Sequence, residues 1–375
     1  MRFLRACLLI LLCLTACRPL TLGLAPTPTA HAAMLPLVVK PQAGSAAVTA
    51  EPTQVIQPAP TASPTPLPDI TLLFTGVIVP GRCVQAGIDA REDANYVYEH
   101  VRQLIKQADL AVGTLNATLS DYPPHTGCVF TYVLVGDVRS AQAARRAGFD
   151  VMSVATNHIK NCGLANCGDR AFLETLENLR ANEIIPVGAG RNLAEALEPV
   201  ILEVKGVRFG IVSLGMVEPM AFASESAPGI AVLNDENLRT AIKAAKRQAD
   251  VVIVMPHWGP EDVPYPNEYQ LHYAQVAVQA GADLVVGNHT HVVQAIQRLH
   301  GVDVFYGLGN FIFDQTWDLA HQQGVILLVH FRGATYAGYE LIPTHVDGDG
   351  TVHLAEPPEA EQILERIRSA SQDLK

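Results

Sequence analysis

Four histidines stand just beyond three apolar runs of this 375-residue chain. Asn157-His158 follows Val151–Val154, His257 follows Val251–Met255, and His289 and His291 flank Thr290 after Leu284–Val286. Side chains leaving a strand at its carboxyl end sit where open α/β sheets hold ligands. In an extended segment residues two apart point the same way, so the spacing predicts His289 and His291 facing one cavity. Neutral imidazole suits zinc, iron, manganese or nickel, and histidines converging from separate strand ends form a metal site. Each histidine alone reads as a hydrogen-bonded loop residue. Together they predict a shared site.

The elements that must position them are short apolar runs alternating with helical patterns. Ile70–Phe74, Leu110–Val112, Val151–Val154, Phe209–Leu214, Val251–Met255, Leu284–Val286, Val302–Tyr306 and Val325–Phe331 read as strands buried mostly on both faces. Ala94–Gln107, Ala141–Ala147, Asp169–Ala181, Asp235–Gln248 and Glu268–Ala280 read as helices, with Asn161 and Asp169 near helix starts. A last amphipathic helix after Pro357 puts Ile363, Leu364 and Ile367 on one face. This alternation predicts one large α/β domain over 69–375, with its core at 70–331.

Ahead of that domain, Arg2 and Arg5 precede an apolar run, Ala6–Leu14, that is too short to span a bilayer. Leu14-Thr15-Ala16-Cys17 follows, which predicts a lipoprotein signal over 1–16 and a lipid on Cys17; a cut near Ala30-His31-Ala32 is the rival. Residues 17–68 are rich in Pro, Ala and Thr and predict an extended tether. Removing the signal and lipidating Cys17 leaves Cys83, Cys128, Cys162 and Cys167. Outside the cytoplasm an even number of cysteines favours disulfides, with three pairings open. The short loop Gly163-Leu164-Ala165-Asn166 suggests Cys162 with Cys167, and so Cys83 with Cys128. A structural zinc site lacks the usual paired spacing. A formal net charge of −11 argues against nucleic acid and anionic membrane surfaces as partners, so any anionic ligand must be held by a local basic or metal-lined site.

Five stretches resemble the capsule-synthesis CapA family of poly-γ-glutamate proteins, and in that family's order. They are Gly76-Val77-Ile78-Val79-Pro80-Gly81-Arg82, Ala155-Thr156-Asn157-His158, His257-Trp258-Gly259-Pro260-Glu261, Gly287-Asn288-His289-Thr290-His291-Val292 and Leu308-Gly309-Asn310-Phe311-Ile312-Phe313-Asp314. The resemblance implies a four-layer α/β/β/α sandwich of the calcineurin-like metallophosphatase type, whose strand-end loops hold two metals around a bridging water. It implies His257, His289, His291 and Asn157 as ligands, with Asn116 as a further oxygen donor. His158 becomes the charge-stabilising or proton-donating group beside Asn157. Arg82, Trp258, Glu261 and Asn310 fall on the substrate side.

The chain departs from the family where acids are expected. Val77 replaces the carboxylate of the family's Gly-Asp, Asn116 in Thr114-Leu115-Asn116 replaces its glutamate, and Asn161 stands where an aspartate usually follows Asn-His. Two metals facing only imidazoles and amides would repel each other, so the expectation is one divalent metal, zinc, manganese or iron, or none. The leading expectation is a cell-surface lipoprotein with a degenerate metal site. It would make, anchor or export an anionic polymer, with the membrane, that polymer and its synthesis and export machinery as partners. A single-metal hydrolase of phosphoesters or envelope polymers, and a non-catalytic metal-binding or adhesion module, are the alternatives. A Cys83–Cys128 bridge would tie together the two loops that lost their acids.

Overall fold

The computed structural model describes residues 66–160, 167, 169–217 and 221–374, which fall in one compact unit, Pro64–Lys375. Cys17, Asn161 and Cys162 lie outside the described residues. Cys167 is disulfide-bonded.

Two mixed sheets carry the fold. The larger runs in the order Val352–Leu354, Thr335–Val346, Gln323–Arg332, Asp69–Ile78, Leu110–Leu115, Val151–Ser153, Ile185–Val187, with Asn310–Ile312 also paired to Asp69–Ile78. The smaller runs Ile296–Leu299, Val302–Phe305, Leu284–Val286, Val251–His257, Val207–Gly215, Val200–Val204. The larger is parallel from Asp69–Ile78 to the Ile185–Val187 edge and antiparallel on the other side; the smaller is parallel at its centre and antiparallel at both edges.

Alternation along the strands explains why they stack. In the first strand Ile70, Leu72 and Phe74 face the second sheet, joining Phe209, Ile211, Ile253 and Met255, while Leu73 faces the helices of its own side. In the second sheet Val252 and Val254 turn outward onto Asp235–Lys246 and Glu268–Ala280, against Leu238, Ile242, Ala274 and Ala277. Helix, sheet, sheet and helix therefore stack as four layers. The C-terminal helix Glu359–Ser371 adds Ile363 and Ile367 to the inter-sheet core.

Glu268–Ala280 forms as its ends dictate: Asn267 and Gln270 make a capping box, and Gly281 closes it in the left-handed conformation. The pattern over 94–107 is instead broken into a 3-10 turn, Tyr96–Tyr98, and a short helix, Arg102–Gln107. Tyr96, Val97 and Tyr98 are all buried. One face of an α-helix cannot bury three consecutive side chains.

Candidate functional site

The parallel strands deliver their carboxyl ends to one region, and the four histidines meet there. Val251–His257 ends on His257 itself, bridged to Asn288 of the next strand end. The Asn157 amide oxygen lies 2.9 Å from His257 Nε2, which lies 3.1 Å from His289 Nδ1. On the other side of His289, its Nε2 and that of His291 are each 3.9 Å from a Glu261 carboxylate oxygen.

The loop holding His289 and His291 is not extended. Their φ values are +108° and +61°, a region that non-glycine residues avoid. The rings still converge, with centroids 6.0 Å apart, through backbone strain and not through strand alternation. Strain of this kind persists only where surrounding structure enforces it.

Asn310 is part of that enforcement. Its amide hydrogens go to Gln315 Oε1 and the His321 carbonyl, both at 2.9 Å, which fixes its oxygen toward His291 Nδ1 at 2.8 Å. His291 Nδ1 therefore carries the proton and Nε2 presents its lone pair. Expected on the substrate side, Asn310 is 1 % exposed with both ends of its amide bonded, so it positions His291. Trp258 is corrected likewise. It is 1 % exposed, stacks on Tyr306 and donates Nε1–H to the Tyr306 carbonyl, which makes it core. Gly287 leaves room for that indole: a Cβ there would lie 2.3 Å from Trp258 Nε1.

The Asn116 oxygen accepts the His158 backbone N–H at 3.0 Å, and its Nδ2 has no protein partner. Amide nitrogen does not ligate, so Asn116 holds the His158 loop in place of the expected ligation. Val77 is fully buried within its strand, aligned with Thr114 and Asn310. Arg82 forms a close ion pair with Asp314 and donates to the Thr131 carbonyl at 3.1 Å, so its charge is spent inside the protein.

A cavity of about 510 Å³ opens from this cluster; His158, His291, Glu261, Phe313, Gln315 and Trp317 are among its walls. Burial lowers the pKa values of His158 and His291 to about 4 and of His289 to about 3, and takes His257 well below its usual value. All four are neutral near pH 7. Burial, reinforced by Asp262, raises Glu261.

These residues fit a divalent cation. Ligand atoms about 2.0–2.1 Å from one ion and at right angles to each other lie about 3 Å apart, which matches the Asn157, His257 and His289 contacts. Glu261, His289 and His291 form a second, looser group. A metal would supply Lewis-acid stabilisation of charge, with His158 the adjacent neutral imidazole facing the cavity. The cavity also keeps two carboxylates, Asp262 and Glu261, the second of which sequence reasoning assigned to substrate. The Asp262–His321 pair at 2.6 Å behind it had no sequence signal.

The fold and site define an α/β/β/α sandwich protein with histidines and asparagine gathered as a candidate metal centre at the carboxyl ends of its strands. Residues 71–315 match the model of the bacterial capsule synthesis protein family PGA_cap, and the chain belongs to that family. It is 30 % identical over 286 residues to the capsule biosynthesis protein CapA of Bacillus anthracis, covering 74 % of this chain and 67 % of that one. To the PGA biosynthesis protein CapA of Bacillus subtilis it is 27 % identical over 275 residues, covering 73 % and 70 %. Among solved structures, a phosphatase from Mycoplasma pneumoniae aligns with TM-score 0.47 and 14 % identity over 80 % of this chain and all of that one.

Proposed function

We propose that the chain is a cell-envelope lipoprotein, held to the membrane through Cys17. It serves the synthesis, anchoring or export of an anionic capsular polymer of the poly-γ-glutamate type, together with the machinery that makes and exports that polymer. The family match over 71–315 carries this reading, together with the names of the two relatives above. Among the described residues no helix is long and apolar enough to cross a membrane; the lipid on Cys17 is read from Leu14-Thr15-Ala16-Cys17 alone.

In this reading the site is a reduced one and holds a single cation. His289 offers Nδ1 to the Asn157–His257 group and Nε2 to the Glu261–His291 group. A neutral imidazole has only one free lone pair, so it serves one ion at a time. The acids that would let two cations sit side by side are replaced by Val77 and Asn116. His257 Nδ1 also lacks a protein partner, whereas ligating imidazoles ordinarily have one that steadies them.

The test is elemental analysis of the purified chain alongside His289→Ala. One zinc, manganese or iron per chain, lost in the variant, is the expected result; two per chain would sink the single-ion reading. In a strain lacking the gene, the intact chain should restore surface polymer, and a failure to do so removes the capsule role. A second reading, a single-metal hydrolase, is favoured by His158 standing on the cavity wall beside the donor cluster. Turnover of a generic phosphodiester, lost in His158→Ala, would establish it.

A further inference from the structure

The mouth of the cavity is built from exposed aromatic rings. Phe130 and Tyr132 are each 69 % exposed and Trp317 is 54 % exposed. Phe130 lies 5.7 Å from the Tyr132 ring and 5.7 Å from the Trp317 ring, both edge-on, although Trp317 comes from a segment almost two hundred residues away. Folded proteins seldom leave such a cluster in water unless it meets something.

Two features hold it in place. The disulfide Cys83–Cys128 anchors the segment carrying Phe130 and Tyr132 to the start of the helix Cys83–Arg91. Arg82 packs its guanidinium against Phe130 and Phe313, at 5.5 and 4.7 Å from the ring centroids. The platform is therefore fixed before any ligand arrives.

The charges beside it limit what the ligand can be. Arg82, the only Lys or Arg on the cavity wall among the described residues, is neutralised by Asp314. The carboxylates on the same wall are Glu261 and Asp262. At this mouth a polyanion would meet the Glu261 and Asp262 carboxylates and, among the described residues, no Lys or Arg without an acidic partner. We infer that the Phe130–Tyr132–Trp317 mouth is a subsite for a neutral glycan. The C–H face of a pyranose lies against the electron-rich face of an aromatic ring. Glu261, Asp262 and Gln315 supply polar atoms within reach of hydroxyls in the same cavity.

This goes beyond the capsule reading and does not depend on a cation at the histidines. The chain has two tryptophans, and Trp258 is sealed in the core, so a ligand-induced change in emission reports Trp317. Full-length chain is titrated with tri-N-acetylchitotriose, and separately with a γ-glutamate oligomer of similar mass, at low and high salt. The expected result is a blue shift with the sugar, insensitive to salt, whose affinity falls about tenfold in Phe130→Ala and in Tyr132→Ala, as loss of one stacking ring implies. Both side chains are exposed, and an unchanged melting temperature confirms that the variants are folded. No sugar binding, sugar binding untouched by both substitutions, or ring-dependent binding of the γ-glutamate oligomer overturns the inference. A null result with the sugar leaves the metal content of the chain, the readout of the reading above, undisturbed.

Discussion

His289 stands between two groups of donors, and the neighbouring residues decide how many ions it serves. Val77 and Asn116 are the positions to change. Val77→Asp with Asn116→Glu returns two carboxylates to the strand ends, and the expected outcome is a second equivalent of divalent metal by elemental analysis. Without metal, the carboxylate buried at position 77 lowers stability by about 3 kcal/mol, which added metal recovers. Unchanged stoichiometry would show that geometry, not missing charge, limits the site. The histidines also set a pH dependence for the chelator-treated chain. His158, His289 and His291 are depressed to about 4, 3 and 4 by burial, against about 6.5 when unfolded. Between roughly pH 6.5 and 4 the unfolded chain takes up protons that the folded one refuses, so stability falls as pH is lowered through that window. Glu261, raised by burial, runs the other way, one group against four, since His257 is lowered as well. A melting temperature that stays level from pH 7 to 4 would contradict this.

The elements around the site divide into those fixed by local pattern and those fixed by distant partners. Val251–His257, Leu284–Val286 and Glu268–Ala280 are read almost residue for residue from the sequence, because continuous apolar runs and a capping box are local signals. The strand Thr335–Val346 is not, since as a strand near the sheet edge it alternates exposure and contains Gly338 and Pro343. The helix Cys83–Arg91 is also missed, as it opens with Arg82 at φ +51° and no side-chain cap. The disulfide spanning 45 residues from Cys83 to Cys128 holds this region together. Replacing both cysteines by serine is expected to cost about 2–4 kcal/mol, seen as a lower denaturant midpoint, and to speed proteolysis within 121–133. Equal stability with and without the bridge would show that packing alone holds the aromatic wall.

The whole molecule is strongly acidic, with its histidine site on one end of a four-layer sandwich. Its attachment is tested by mass: from a bacterial host the mature chain should begin at an acylated Cys17, and Cys17→Ser should move it from the membrane to the soluble fraction. An unmodified N-terminus near Ala32 would favour ordinary secretion. The sequence by itself determined the parallel α/β core, the order of the strand-end segments and the meeting of Asn157, His257, His289 and His291. Those depend on apolar runs and residue types that can be read locally. Only the tertiary structure decided that Asp314 takes the charge of Arg82, that Asn310 orients His291, that Trp258 is core and that Glu261 faces the histidines. Each of these is a contact between positions far apart in the chain or a backbone angle with no sequence signature, so folding alone brings it about.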